Sequence, residues 1–277
     1  MPEFLQYAFM QRALLAAVIV GITAPSVGIY LVQRRLALMG DGIGHVALTG
    51  VAVGLLTGTE PVYTAVVVAT FGAVAIELIR ERGRTSGDVA LALLFYGGIA
   101  TGVLLIGLSD SATTASLTGF LFGQLTSVGP EDLLVIAVLG GVVVALTTVL
   151  QRRLFAVCHD EEYARVAGVP VRAVNLLLAV LAAVTVTVAL RVVGVLLVSA
   201  LMVVPVASAQ QLSRGFRATF VLALTAGVLY AVTGVVTSYF ADTASGATIV
   251  VVAIIGFLLV TLSAAARSSL RRVRALP

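Results

Sequence analysis

Asp41 and His45 are the residues whose types and spacing could do chemistry in an otherwise apolar stretch, MGDGIGHVAL at residues 39–48. A spacing of four places both side chains on one face of a helix. A carboxylate oxygen and an imidazole nitrogen from successive turns can bind one divalent cation, and these donors suit zinc, manganese or iron(II) better than calcium or magnesium. Two residues do not complete a tetrahedral site. Further ligands could come from water, a second copy of the chain, Ser199, Ser208, Gln210 or Asp242.

The pair also has a simpler interpretation, which the sequence leaves open. Asp41 and His45 could form a salt bridge that satisfies both groups, or the helix could begin later, so that Asp41 only caps its N-terminus. Against this, an Asp within the hydrocarbon zone costs about 2.5 to 3.5 kcal/mol. Such a cost is usually kept where a cavity, a partner or a ligand offsets it.

The elements that must position this pair are membrane-spanning helices. Hydrophobic residues make up 60% of the 277-residue chain and charged residues 11%, and the mean hydropathy is +1.13. Repeated apolar runs of about 20 residues can each cross the membrane as a helix. We therefore expect an all-α, polytopic bundle in a single domain, 1–277, with about nine spans (eight or nine). The predicted spans are 8–31, 36–56, 61–79, 89–108, 133–150, 173–190, 192–210, 218–239 and 247–265.

The arginines predict the orientation of these spans. All 17 basic residues are Arg, and most of them cluster at alternate span ends. By the positive-inside rule the N-terminus lies outside and the C-terminus in the cytoplasm. No basic stripe with interleaved aromatic residues is present, so nucleic acid is not an expected partner. At the cytoplasmic end of the third span, Glu77 can pair with Arg80, and Glu81 with Arg84.

Two connections and one proline stand out between the spans. The outer stretch 108–130 is too polar to span, and we expect a loop with one short helix around 117–125 that acts as a lid or a partial plug. The cytoplasmic loop 151–172 has a helix-like centre, 159–167, which Gly168 and Pro170 end. Within that loop we expect Cys158 and His159 to be exposed and to bind no metal. Pro205 is expected to kink the seventh span.

The segment around the polar pair resembles a known family. Residues 33–54, QRRLALMGDGIGHVALTGVAVG, are similar to the segment D-A-x-S-H-A-x-L-P-G-x-A-x-G that follows an Arg-bearing turn in the permease subunits of ABC importers for zinc, manganese and iron(II), the zinc branch in particular. Similar blocks follow in order over nearly the whole chain, at 86–106, 117–136, 159–171, 194–213 and 242–259.

This resemblance assigns roles to particular residues. It implies that Asp41 and His45 contact the metal ion within the membrane, and that Asp242 matches an Asp at the outer mouth. For Asp242 a polar loop residue that caps the last span is the open alternative. The chain departs from the family pattern at Gly44, where a Ser is usual, and at Thr49 and Ala247, where a Pro is common. These departures alter helix packing more than ligation and bear on which metal is carried.

The resemblance also implies partners and an energy source. The cytoplasmic segment is similar to the coupling helix that docks on an ATPase, with Asp160, Glu161, Glu162, Tyr163, Ala164 and Gly168 as the residues concerned. The chain has no G-x-x-x-x-G-K-[ST] phosphate loop, so it is not expected to be an enzyme. ATP would be bound by two copies of a separate ATPase, and an extracytoplasmic metal-binding protein would deliver the cargo to a homodimer of this chain in a prokaryotic cell membrane.

The predicted cargo is zinc, with manganese or iron(II) as the alternative, and no permanently bound cofactor is expected. A rival function is an ion-coupled secondary carrier in which Asp41 and His45 relay protons. Such a carrier would be supported by inverted repeats and a second ionisable pair, and the sequence shows neither. An intramembrane metalloprotease would need a motif such as H-E-x-x-H, which the sequence lacks.

Overall fold

The chain is a bundle of α-helices, seen in a computed structural model that describes residues 6–81, 87–108, 119–123, 128–195 and 197–274. Within these ranges there is no β-strand, which confirms the all-α prediction. The helices are α1 (Ala8–Gln33), α2 (Met39–Thr57), α3 (Pro61–Glu81), α4 (Gly87–Gly107), α5 (Pro130–Val149), α6 (Gln151–His159), α7 (Glu161–Val166), α8 (Val171–Val193), α9 (Val198–Leu212), α10 (Phe216–Ala241) and α11 (Ser245–Arg274).

Eight of the described helices are long and apolar enough to cross a membrane, which agrees with the predicted eight or nine spans. The ninth predicted span, 192–210, corresponds to the shorter helix α9. Its 15 residues rise only about 22 Å along the helix axis. The predicted start at 192 is wrong because α8 continues to Val193, after which Gly194 turns the chain at a φ of 84°. The chain then enters α9 at Val198.

The centre of the bundle is formed by α1, α2 and α8. About 70% of the apolar window of each of these helices is buried, against 11% for α11 and 17% for α4. Most of the apolar surface of these two outer helices therefore faces away from the bundle. In the interior, α1 packs against α5, α8, α9 and α10, while α2 lies between α3 and α4 and also contacts α8 and α9. The helix that carries the polar pair is thus held on several sides.

Small residues allow the helix backbones to approach closely. The buried face of α1 includes Ala13, Ala16, Ala17 and Ala24. One turn further, Gly28 lies against α9, where an added Cβ would meet the carbonyl oxygen of Met202 at 1.9 Å. Contacts between small residues are the main way that membrane helices gain packing energy, because lipid is as apolar as the side chains themselves.

The loop between α5 and α8 forms two short helices instead of the one expected. The predicted helical centre, 159–167, breaks at Asp160, which adopts an extended conformation and accepts a hydrogen bond from the Tyr163 amide at 2.9 Å. Asp160 therefore caps α7. The predicted end at Gly168 is confirmed: its φ is 79°, and Gly168 N–H and Val169 N–H donate to the carbonyls of Arg165 and Ala164 in a Schellman motif.

Other predictions for the connections have mixed outcomes. His159 is exposed as predicted, but Cys158 is half-buried, because α6 is amphipathic and turns Cys158 towards the core beside Leu154 and Val157. In the outer stretch, residues 119–122 are helical, while most of the predicted helix 117–125 lies outside the described residues.

One of the two charge pairs predicted at the end of α3 is present among the described residues. Arg80 donates two hydrogen bonds to Glu77, at 2.9 and 2.6 Å, as predicted. Glu81 pairs with Arg172 at 3.0 Å, whereas Arg84, its predicted partner, lies outside the described residues. Because Arg172 belongs to α8, this ion pair joins two helices and could not be found from spacing within α3 alone.

Candidate metal-contacting site

Asp41 lies in the first turn of α2, which begins at Met39 with Leu38 as its N-cap. Asp41 is therefore inside the helix and is not the capping residue that the simpler interpretation proposed. A carboxylate in the first turn is favoured by the unpaired backbone N–H groups of the helix start. The other simple interpretation also fails, because none of the ion pairs among the described residues joins Asp41 to His45.

The partner of Asp41 is Ser199, in the first turn of α9. The Ser199 hydroxyl donates a hydrogen bond to Oδ1 of Asp41. Ser199 was one of four residues that the sequence offered as further ligands, and it is the one that the structure brings to the pair. The contact is close because Gly40 has no side chain, and a Cβ there would lie 3.1 Å from the Ser199 Cβ.

His45 lies one turn further along α2 in a tight apolar enclosure. Only 8% of the residue is exposed, and its Nδ1 is buried without a hydrogen-bond partner. The imidazole and the Phe95 ring of α4 pack in a T-shaped arrangement, with centroids 4.3 Å apart and planes at 76°. A buried ring nitrogen that lacks a partner is costly. It is also free to bind a cation.

The backbone of α4 presses directly on α2 at this level. A Cβ at Gly98 would lie 2.8 Å from the backbone carbon of His45. One turn along, the Thr49 hydroxyl donates to the Gly98 carbonyl at 2.9 Å. A Pro at position 49, as is common in the family, could not make this bond. The departure at Thr49 therefore changes helix packing, as the resemblance suggested, and it fixes α4 against the helix that carries the pair.

The junction between α8 and α9 covers the other side of α2. A Cβ at Gly44 would lie 3.0 Å from the Val195 carbonyl oxygen, so the Ser that is usual there would be crowded in this packing. The Val195 amide donates to the Phe120 carbonyl at 2.9 Å, which ties the junction to the helical segment 119–122. At Gly194, whose φ is positive, a Cβ would lie 2.4 Å from the Leu121 carbonyl oxygen. The non-helical backbone at Gly194 and Val195 is thus enclosed by protein, as it must be wherever such backbone lies within a membrane.

The remaining candidate ligands lie elsewhere. Ser208 is buried, donates to the Val204 carbonyl and accepts a hydrogen bond from Tyr230, while Gln210 is exposed. Asp242 is exposed at the C-terminal end of α10, in a left-handed conformation with a φ of 48°. Within the described ranges, no three His, Cys, Asp or Glu side chains form a group that could hold a metal ion. The pair therefore has donors for only part of a coordination shell.

Two contacts at the site were not expected from the sequence. Phe95 shows no signal beyond its position in an apolar run, and only the packing of α4 on α2 brings it to His45. The Val195 carbonyl belongs to a residue that sequence patterns place inside a span, so the break of the helix there was missed. The positive φ of Gly194 is the cause of that break, and a Gly between two valines was the only sequence signal.

The segment that resembles a coupling helix is α7. Its residues Glu162 and Tyr163 are exposed, Glu161 is half-buried and Ala164 is fully buried. Tyr163 is 69% exposed and Val166 is 88% exposed, so a six-residue helix displays two large apolar side chains. Arg34, at the end of α1, pairs with Glu161 at 3.1 Å.

The long apolar helices define a multi-pass membrane protein, in which the interior helix α2 carries a carboxylate and an imidazole one turn apart. Residues 6–264 match the ABC 3 transport family, and the chain belongs to that family. It is the permease of a metal ABC importer, located in the inner membrane of a prokaryote.

Curated relatives and a solved structure agree with this assignment. The manganese transport system membrane protein MntC of Halalkalibacterium halodurans is 34% identical over 91% of this chain and 86% of the relative. A protein of Haemophilus influenzae named "Probable iron transport system membrane protein" is 32% identical over 90% of this chain and 91% of the relative. PsaBC from Streptococcus pneumoniae, solved in complex with Fab, is 30% identical and has a TM-score of 0.83, covering 93% of this chain and 92% of that one.

Proposed function

We propose that this chain passes divalent transition-metal ions through the membrane by way of Asp41 and His45, driven by a separate ATPase. The observation that carries the proposal is the buried Nδ1 of His45, which has no partner and lies one turn from the Asp41 carboxylate. A buried polar atom without a partner costs about 1 to 3 kcal/mol. A passing metal ion removes that cost while it is bound.

The donors favour manganese first, with iron(II) and zinc as alternatives. Asp41 and Ser199 supply oxygen atoms and His45 supplies one nitrogen, while the chain's single thiol, Cys158, lies on α6. Oxygen-rich sites suit manganese, whereas thiolates and several imidazoles are typical of zinc. Relatives named for manganese and iron transport support this order. Zinc, the cargo predicted from the sequence, would be bound by the same residues, but we expect this set of donors to prefer manganese.

The hydrogen bond from Ser199 suggests how the ion is released. Without metal, the Ser199 hydroxyl is the partner of the Asp41 carboxylate. An arriving cation is bound by the Asp41 carboxylate and the Ser199 oxygen together, and a movement of Ser199 away from Asp41 removes one of these ligands and favours its departure. Helix α9 is suited to this exchange because Pro205 leaves the Leu201 carbonyl without its usual helical donor and allows the helix to bend. A bend in α9 moves Ser199 relative to α2.

In this proposal, α7 transmits the energy of ATP hydrolysis from the ATPase to the permease. The exposed Tyr163 and Val166 on a short helix suit docking into a groove of an ATPase, with Glu161 and Glu162 beside them. In this proposal the N-terminus lies outside, α6 and α7 lie in the cytoplasm, two copies of the chain bind two ATPase subunits, and an extracytoplasmic protein delivers the metal. Asp242, exposed at the predicted outer end of α10, lies where that delivery would occur.

Metal accumulation tests this function. Cells that lack their own metal importers would express this chain with its ATPase and binding protein, and the metal content would be measured by mass spectrometry after growth in manganese, iron(II) or zinc. We expect accumulation of manganese above the other two, abolished when the ATPase is inactivated. Accumulation that persists with the inactive ATPase and follows the proton gradient would support the secondary carrier instead.

A further inference from the structure

Arg34 is a buried charged residue that the metal site does not use. It follows α1 directly, and only 7% of its side chain is exposed. Its Nη1 donates to Oδ1 of Asn175 on α8 at 2.7 Å, and its Nη2 donates to Oε2 of Glu161 on α7 at 3.1 Å. One guanidinium therefore joins α1, α7 and α8. The planar fork of Arg suits two such partners at fixed angles, which the single ammonium of Lys does not.

The pairing with Glu161 differs from an ordinary surface ion pair because the Arg34 side chain is buried, although Glu161 also pairs with the exposed Arg165 at 3.4 Å. Arg172 and Glu81 form a comparable pair nearby, but 68% and 40% of their side chains are exposed, so water screens it. At Arg34 the cation is removed from water and depends on its two protein partners. A movement of α7 that displaces Glu161 must therefore also displace Arg34 or leave a buried charge without its counterion.

The chain between Arg34 and Asp41 has little freedom. Arg35 N–H donates to Val32 and Leu36 N–H donates to Leu31, at 3.1 and 2.8 Å, which is the Schellman pattern at the end of α1. Met39 N–H then donates to the Leu36 carbonyl at 2.9 Å, and α2 begins there. These three hydrogen bonds tie the short turn to both helices, so a displacement of Arg34 is carried to the first turn of α2, where Asp41 lies.

We propose that Arg34 is the positioning residue that couples the ATPase-facing helix α7 to the metal-contacting helix α2. This inference rests on the proposed function, since it assumes that an ATPase moves α7. When the ATPase draws α7 away, Glu161 pulls Arg34, and the turn 34–38 shifts Asp41 relative to Ser199. Asn175 holds the guanidinium to α8, so that α2 and the α8–α9 junction respond together.

The test uses the complete transporter in proteoliposomes and measures ATP hydrolysed per metal ion transported. Arg34→Gln and Glu161→Gln are each expected to raise that ratio at least about fivefold. The double variant should raise it no further than the larger single change, because both remove the same contact. Arg34→Lys, which can keep one of the two hydrogen bonds, should lie between wild type and Arg34→Gln. Glu81→Gln, which breaks the nearby but water-exposed ion pair with Arg172, is the matched control and should resemble wild type.

Co-purification of the ATPase with each variant separates lost coupling from lost docking. If Arg34→Gln does not fold, Glu161→Gln carries the test, because 37% of the Glu161 side chain is already exposed. An unchanged ratio in a folded, ATPase-bound variant would overturn the proposal, as would additive effects in the double variant. If the proposed function itself were wrong, the wild-type transporter would hydrolyse ATP without transporting metal, before any variant is compared.

Discussion

The hydroxyl of Ser199 donates a hydrogen bond to Oδ1 of Asp41 and joins the first turns of α9 and α2 across 158 sequence positions. The bond gives the metal-free carboxylate a partner and leaves the Nδ1 of neighbouring His45 without one. The carboxylate thus has a partner within the protein, while the imidazole nitrogen is still able to bind a cation.

Ser199→Ala should weaken the binding of metal more than it slows its passage. The hydroxyl fixes the orientation of Asp41, and a hydrogen bond to a charged group contributes about 1.5 to 3 kcal/mol. We expect the KM of uptake to rise about tenfold while the maximal rate changes little. Uptake measured over a range of manganese concentrations tests this. Ser208→Ala is the matched control, since that buried hydroxyl bonds to Val204 and Tyr230 away from the pair. Equal KM values for the two variants would contradict the role of Ser199.

Gly98→Ala should separate α4 from α2. The added methyl would lie 2.8 Å from backbone atoms of His45 and Val46, and overpacking of this kind costs about 1 to 3 kcal/mol. We expect a lower thermal midpoint in detergent and reduced uptake. Gly97→Ala is an ideal control, because nothing lies within 4 Å of a Cβ added at the neighbouring position. The prediction is wrong if both variants unfold at the same temperature as wild type.

Arg35→Gly should be neutral or stabilising, although it removes a charge. Arg35 is exposed and has a φ of 59°, in the left-handed region that costs a non-glycine residue about 1 to 2 kcal/mol. Glycine occupies the equivalent position in the Schellman motif at Gly168. The thermal unfolding temperature should therefore be at least as high with Gly at position 35 as with Arg. It should be well below both with the β-branched residue Val. A large loss of stability in Arg35→Gly would show that the side chain makes an essential contact.

Cys158 should react slowly with alkylating reagents until the pH is high. Burial raises the pKa of its thiol to about 11 from the ordinary value of 9.0, and Glu161 adds to the rise while Arg34 opposes it. The thiolate is the reactive form. Because the folded pKa is the higher one, the stability that this group contributes is complete below about pH 9 and is lost as the pH rises towards 11.

The measurement is the rate of iodoacetamide labelling between pH 7 and 10 in folded protein, with denatured protein as the control. We expect the rate in folded protein to rise through this range without reaching a plateau, whereas the rate in denatured protein levels off near its lower pKa. Rapid labelling of folded protein at pH 7 would show that Cys158 is exposed, as the sequence had suggested.

Much of the fold follows from the sequence because membrane spans are local features. Apolar runs bounded by Arg, Gly and Pro predict α1 to α5, α8, α10 and α11 to within a few residues at most ends. Pairs within one helix are also local, so Arg80 and Glu77 were found correctly. The break at Asp160 was missed, since apolar and charged residues continue across it and only the extended backbone there reveals a cap.

Only part of the site could be predicted from the sequence, because the rest depends on contacts between different helices. The spacing of Asp41 and His45 places both on one face of α2, which the sequence shows directly. The choice of Ser199 from four candidate ligands depends on how α9 lies against α2, and the contact of Phe95 with His45 depends on α4. Such contacts form where glycines allow two helices to approach closely. A single sequence does not show which neighbouring helix each glycine faces.

The most direct test of the central claim is metal uptake by Asp41→Asn in the complete transporter, with membrane levels and folding verified. Asparagine has nearly the same shape and can still accept the Ser199 hydrogen bond, so only the charge is removed. The control is Thr147→Val, an isosteric change of a fully buried hydroxyl on α5 that bonds only within its own helix. We predict that Asp41→Asn abolishes uptake of manganese, iron(II) and zinc while Thr147→Val retains it. Normal uptake of all three metals by folded Asp41→Asn would contradict the account.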